Sequence, residues 1–213
     1  MHKIQLAAAA FSVLASTAAG AQEARDYDLA PFTEIDASIV TLEVTVGPAQ
    51  SVSIVAERGD LDDLDVYVRN GELNIEPKRR INFGRNKRFT ATITLPSLEG
   101  LDLSAGADAH VTGVDADEFM IDLSSGAQAE ITGTCRELEV DISSGARIRA
   151  RNFICAEAIA DASSGATGDI HASEAVNADA SSGGRLRVYG GPTRVRVDTS
   201  SGGDVDIRSD GAE

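Results

Sequence analysis

Apolar and polar residues alternate along most of this chain, and in its second half the alternation becomes periodic. Six phrases of the form Asp-x-Ser-(Ser/Ala)-Gly-(Ala/Gly) begin at Asp102, Asp122, Asp141, Asp161, Asp179 and Asp198. Their glycines, Gly106, Gly126, Gly145, Gly165, Gly183 and Gly202, stand about twenty residues apart, a spacing that marks a repeat architecture. Five before each glycine come Leu101, Ile121, Val140, Ala160, Ala178 and Val197, and three before it Leu103, Leu123, Ile142, Ala162, Ala180 and Thr199. Three after it come Ala109, Ala129, Ile148, Gly168, Leu186 and Val205, and five after it Val111, Ile131, Ala150, Ile170, Val188 and Ile207. The positions between these columns are mostly polar. Each unit therefore reads as strand, tight turn, strand, with one face inward. A helical repeat would need a 3.6-residue period, which is absent.

Stacked coils of this kind give an all-β fold, a right-handed parallel β-helix or β-solenoid with ~20-residue coils spaced ~4.8 Å apart. A single coil cannot bury its apolar face alone, so stacking stabilises each one. Residues 98–210 hold the six repeats. Residues 32–97 read as strands without the phrase. Ile35, Ala37 and Ile39, then Leu42, Val44 and Val46, alternate with polar neighbours. Val52-x-Ile54-x-Ala56, Leu64-x-Val66-x-Val68 and Phe89-x-Ala91-x-Ile93-x-Leu95 repeat that pattern. Asn70-Gly71 between two such runs is a strong hairpin signal, because both residues accept positive φ. Residues 22–31 are polar and read as a partly disordered lead-in. The whole of 32–213 is expected to be one domain.

Residues 1–21 change the picture of where the protein works. Met1-His2-Lys3 is basic, Ile4 to Ala19 is apolar and alanine-rich, and Ala19-Gly20-Ala21 is a small-x-small cleavage site. That is a secretory signal peptide, so the chain is expected to be exported, to the periplasm, the cell surface or the medium of a bacterium. No later run approaches the ~20 apolar residues of a transmembrane helix.

The chain carries 34 acidic and 19 basic side chains, a formal net charge of −15. That excess disfavours nucleic acid, whose binders need clustered positive charge. Trp is absent and aromatics are sparse, against a conventional sugar-stacking groove. The basic residues are concentrated at Lys78, Arg79, Arg80, Arg85, Lys87 and Arg88. This segment reads as a solvated hairpin tip, with contact to an anionic partner as its functional alternative.

Stacking turns the polar columns into ladders. Four after each glycine stand His110, Glu130, Arg149, Asp169, Arg187 and Asp206, whose sign alternates from Glu130 onward. Such a row is charge matching, worth roughly 0.2–1 kcal/mol per opposite pair. Eight before the glycine, Glu118, Glu137 and Glu157 have no such compensation. Asp102, Asp122, Asp141, Asp161, Asp179 and Asp198 form a second uncompensated row. Each Asp is expected to cap its Ser-Ser-Gly corner. The alternatives are a calcium row, since carboxylate oxygens suit that ion, and paired acid–base carboxylates acting on polysaccharide. No other cofactor is implied.

Cys135 and Cys155 each stand ten residues before their repeat's glycine. They thus share a position on adjacent coils, and the ~4.8 Å coil spacing lies within the ~4.4–6.8 Å Cα range of a disulfide. A Cys135–Cys155 staple is expected. The serines lack a partner base, and His110 and His171 read as isolated surface residues, so no catalytic residue is assigned.

Phe32-x-x-Ile35, Asn70-Gly71-x-Leu73-x-Ile75, Ile93-x-Leu95-Pro96-x-Leu98 and the repeated Ser-Ser-Gly-Ala phrase together resemble the head GIN domain of putative autotransporter adhesins. The resemblance spans nearly the whole chain after the signal segment. It implies an exported bacterial β-helix protein, periplasmic or at the surface, and adhesion to an envelope or extracellular partner. It brings no catalytic residues. The function expected is a non-enzymatic interaction module. The alternatives are a polysaccharide-binding or polysaccharide-cleaving β-helix and a calcium-stabilised solenoid.

Overall fold

A computed structural model describes residues 23–78 and 87–209. The signal segment at 1–21 lies outside these residues. The described strands join in a single sixteen-stranded hydrogen-bonded sheet wound upon itself. This is the parallel β-solenoid that the twenty-residue period predicts. Two parallel ladders run its length. One passes through Glu34–Ser38, Gly100–Ser104 and the later parts of Asp108–Leu123 and Gln128–Ile142. It continues through Phe153–Ala162, the later part of Thr167–Ala180, and Arg194–Thr199. The other sets Thr41, Asp108, Gln128, Arg147, Thr167, Arg185 and Asp204 side by side.

The Ser-Ser-Gly phrase makes the corner between the ladders. Its second residue and its glycine both have positive φ, for example Ser144 at 51° and Gly145 at 76°. The following Ala146 N–H donates to Ser143 O at 2.9 Å. Two central residues of positive φ closed by such a bond are the signature of a type I′ turn. The turns also bond to one another: Gly126 N–H donates to Ser144 O, Gly145 N–H to Ser164 O and Gly165 N–H to Ser182 O. The phrase recurs because each turn is a template for the next. A branched side chain at the left-handed position should disrupt it. Ser144→Val is expected to cost about 1–2 kcal/mol in urea denaturation, and Ser143→Val at the preceding position distinctly less.

The inward columns form the core. Leu103, Leu123, Ile142, Ala162 and Ala180 are buried, as are Val111, Ile131, Ala150, Ile170 and Val188. Small and large residues complement each other between coils. A Cβ at Gly168 would stand 2.9 Å from Leu186 Cδ2 and 3.1 Å from Ile148 Cγ2, so its neighbours already fill that space. Phe119 and Phe153 meet edge to face at 5.2 Å between ring centroids. In Arg194–Thr199, the last strand of the first ladder, Val195 and Val197 remain 49% and 42% exposed, with no further coil over them among the described residues.

The first half of the chain differs from the sequence reading in two places. Residues 34–46 belong to the stack: Ile35-Asp36-Ala37-Ser38 pairs in register with Leu101-Asp102-Leu103-Ser104, and Thr41–Thr45 with Asp108–Thr112. This coil turns one residue sooner than the others and holds Ile39, not serine, at positive φ. Also, the lead-in is ordered. Glu23–Tyr27 forms an antiparallel strand on Ser51–Arg58, which itself pairs antiparallel with Arg88–Leu95. The Asn70-Gly71 hairpin forms as expected, joining Leu64–Arg69 to Glu72–Pro77. No helix of the described residues is long and apolar enough to cross a membrane.

Candidate functional site: the outward ladders

Parallel pairing in strict register decides which side chains meet on the surface. It aligns Asp36, Asp102, Asp122, Asp141, Asp161, Asp179 and Asp198 in one row, and Asn74 pairs with Asp36 beyond its start. Among the described residues, none of the six repeat carboxylates accepts a hydrogen bond from a serine or a turn N–H. The expected corner caps are therefore absent. The turns close on backbone bonds alone, and the carboxylates face outward.

Adjacent carboxylates disfavour one another's ionisation. Asp102 is pushed up to about 6, chiefly by partial burial and then by the charges of Asp36, Asp122 and Glu72. Burial, with Asp141, raises Asp122. Burial, with Asp179, Asp141 and Glu139, raises Asp161. Asp36 is raised by burial and by Glu72 and Glu76. A folded-state pKa above the unfolded value means that the native state binds the extra proton. The contribution of Asp102 is thus fully present below its ordinary 3.8 and lost as pH rises through about 6. Asp102→Asn should stabilise the protein at pH 7 by up to ~1 kcal/mol, modest because solvent screens an exposed carboxylate. The gain should vanish toward pH 4, as read from urea midpoints at the two pH values.

Around the start of this row lies a groove of about 350 Å³, whose lining includes Glu34, Glu72, Asp102, Asp122, Glu139, Asp141 and Met120. Met120 and Ile159 stand 52% and 44% exposed on the same face. Arg136 binds Asp117 at 2.7 Å and Glu137 at 2.9 Å. The row is a line with one carboxylate per coil. Among the described residues, no three His, Cys, Asp or Glu side chains are grouped to hold a metal ion.

The second ladder is mixed. Its register joins His110, Glu130, Arg149, Asp169, Arg187 and Asp206 in succession. Only Arg187 and Asp169 close to an ion pair, at 3.1 Å, while Asp206 is bound by Arg208 at 2.7 Å. Cys135 and Cys155 pair in register and are joined as a disulfide, with Cα atoms 4.5 Å apart. Both are buried.

Of the basic segment, Arg79, Arg80 and Arg85 lie outside the described residues. Lys78 donates to Asp62 O and stands 4.0 Å from Asp65. Lys87 pairs with Asp63, and Arg88 lies 3.5 Å from Glu57. Its described cations thus face acidic groups of their own chain. His171, expected at the surface, is 6% exposed. It lies beside Tyr189 in the ladder, and Gly190 leaves room for its ring, since a Cβ there would stand 2.7 Å from His171 Cε1. Sequence reasoning missed Asp36 as the first rung. Its signal was the shared apolar-Asp-apolar-Ser order, without the glycine.

Comparison with known proteins agrees with this architecture. A family model described as "Putative auto-transporter adhesin, head GIN domain" matches residues 31–192. The fold is that of a putative adhesin from Bacteroides fragilis, at 18% identity and a TM-score of 0.69, covering 88% of this chain and 97% of that one. A putative adhesin from Parabacteroides merdae aligns at 14% identity and a TM-score of 0.55, covering 89% and 97%. A putative lipid binding protein from Parabacteroides distasonis aligns at 15% identity and a TM-score of 0.50, covering 89% and 98%. No curated protein matches the chain.

Proposed function

We propose, from the premise that this chain belongs to the family of putative auto-transporter adhesins with a head GIN domain, that it is an exported, non-enzymatic adhesion module. It would hold a partner in the envelope or outside the cell against its outward ladders. The observation that carries this reading is the sameness of the surface chemistry. Seven aspartates repeat in register at successive coils, so the same carboxylate recurs along the whole face. A nucleophile needs a base within hydrogen-bond reach. Neither His110 nor His171 is paired in register with one of the turn serines. A rigid stack with long polar faces suits binding by many weak contacts.

Export is supported by the basic, apolar and small-residue order of residues 1–21. The buried disulfide supports it too, because such bonds persist in oxidising compartments. The test is saturable binding of the labelled, purified protein to intact cells and envelope fractions of the source bacterium. The expected result is a binding isotherm that weakens severalfold when Asp122, Asp141 and Asp161 are replaced together by Asn. Binding that never saturates, or that ignores the triple replacement, would contradict the reading of this face.

A further inference from the structure

On the second ladder, four arginines crowd into a strongly acidic protein. Arg147 and Arg149 come from one coil, and Arg185 and Arg187 from the coil two rungs on. Thr167 and Asp169 lie between them in register. Together they line an open concavity of about 330 Å³. Four positive charges against the one of Asp169 leave +3 in this lining.

The central residues hold two of the arginines. Arg187 binds Asp169 at 3.1 Å, and Arg147 Nε donates to Thr167 Oγ1 at 3.2 Å. Among the described residues, Arg149 and Arg185 make no ion pair, although acidic rungs adjoin both. Glu130 is next to Arg149 and Asp204 next to Arg185, and neither carboxylate closes on its arginine. The two uncommitted arginines stand at diagonal corners of the register. Two rungs of ~4.8 Å and two residues of ~3.3 Å place their backbones about 12 Å apart. A ligand carrying two or more anionic groups can meet one arginine at each corner without drawing the two side chains together over Arg147 and Arg187.

We infer that this concavity binds an anionic polysaccharide, with Arg149 and Arg185 each receiving one sulfate, phosphate or carboxylate group. Guanidinium forks suit such planar or tetrahedral oxyanions, in charge-assisted pairs. The acidic rungs of Glu130 on one side and Asp204 and Asp206 on the other confine the ligand to the three rungs between them. They also repel a broad anionic membrane, which a narrow flexible chain avoids. The inference goes beyond the adhesion reading, since an exported protein with another role would carry the same site.

Heparin serves as the probe, titrated calorimetrically into the intact protein at low ionic strength and followed as salt rises. At pI ≈ 4.5 the chain as a whole should repel it, so binding must come from a local patch. Wild type is expected to bind in a salt-sensitive manner. The Arg149→Gln/Arg185→Gln variant should bind at least about tenfold more weakly, a loss consistent with two charge-assisted contacts. Arg136→Gln, on the other ladder, should bind as wild type does. Circular dichroism of each variant checks that the fold persists. No binding by wild type, or equal loss in Arg136→Gln, would overturn the inference. Inorganic sulfate competing as well as heparin at equal sulfate concentration would overturn the polymeric ligand. Binding to anionic phospholipid vesicles in preference to heparin would overturn the polysaccharide.

Discussion

Gly133→Ala is expected to be less stable than the parent by at least ~3 kcal/mol, or to fail to fold. Gly133 lies in Gln128–Ile142, where pairing with the preceding coil shifts register between Ile131 and Gly133. Its φ is 140°, and a Cβ would stand 2.1 Å from Val114 O and 2.8 Å from Val114 C and N. Those are main-chain atoms held in a ladder, so they cannot give way as a side-chain end could. The contrasting variant is Gly126→Ala in a Ser-Ser-Gly turn. Its φ is 78°, but a Cβ there meets nothing within 4 Å, so only the left-handed backbone cost applies, about 1–2 kcal/mol. Urea denaturation of the two variants separates backbone strain from collision. Equal losses would show that the coils are not packed this closely at residue 133.

Removing the disulfide should have the next largest effect. Cys135→Ala/Cys155→Ala is expected to lose about 3 kcal/mol, the chain-entropy value for a closed loop of this size, whose ends are 20 residues apart. For a domain of this length that is a fall of roughly 6–12 °C in Tm. Alanine itself fits the column. The neighbours of Cys135 and Cys155 in the ladder are Ala116 on one side and Ala172 on the other. Reduction of the wild type, which leaves both sulfurs in place, should reproduce the part of the loss that the bond itself supplies, as read in a calorimetric scan.

The repeat half of this fold was legible because one residue type does one task at every coil. Glycine and the residue before it supply the positive φ of the turn, and the apolar columns supply the core, so a twenty-residue period translates directly into a stack. The cysteines were legible for the same reason: equal offsets from the glycine mean adjacent rungs. The first coil was hidden because Ile35-Asp36-Ala37-Ser38 is followed by Ile39 in place of Ser-Gly. An isoleucine at positive φ is a conformation that sequence rules disfavour, and here it is held by packing against the core. The lead-in strand Glu23–Tyr27 was hidden because its residues are mostly polar and exposed. Its main-chain pairing to Ser51–Arg58 leaves little trace in composition.

The surface chemistry was legible as columns but not as contacts. Alternating signs in the second ladder suggested a closed series of ion pairs. The register is as expected, yet Asp206 turns to Arg208 and Asp169 to Arg187, which leaves Arg149 and Arg185 uncommitted. Side-chain choice among competing partners is a matter of a few tenths of a kcal/mol at an exposed site, below what spacing can resolve. The same holds for the aspartates, whose row was evident but whose lack of corner bonds was not.

One aspartate line from Asp36 to Asp198 underlies the acidic face, the raised carboxyl groups and the reading of this surface as an adhesive one. Its first rung is the least expected from sequence and so the most informative to test. Adjacent rungs in this solenoid can be joined, as Cys135 and Cys155 are at a Cα separation of 4.5 Å. Peptide mapping by mass spectrometry of oxidised Asp36→Cys/Asp102→Cys protein should find those two positions linked. In Asp36→Cys/Asp122→Cys, two rungs or ~9.6 Å apart, they should remain unlinked. Linkage of the second pair in preference to the first would contradict the register, and with it the single acidic face.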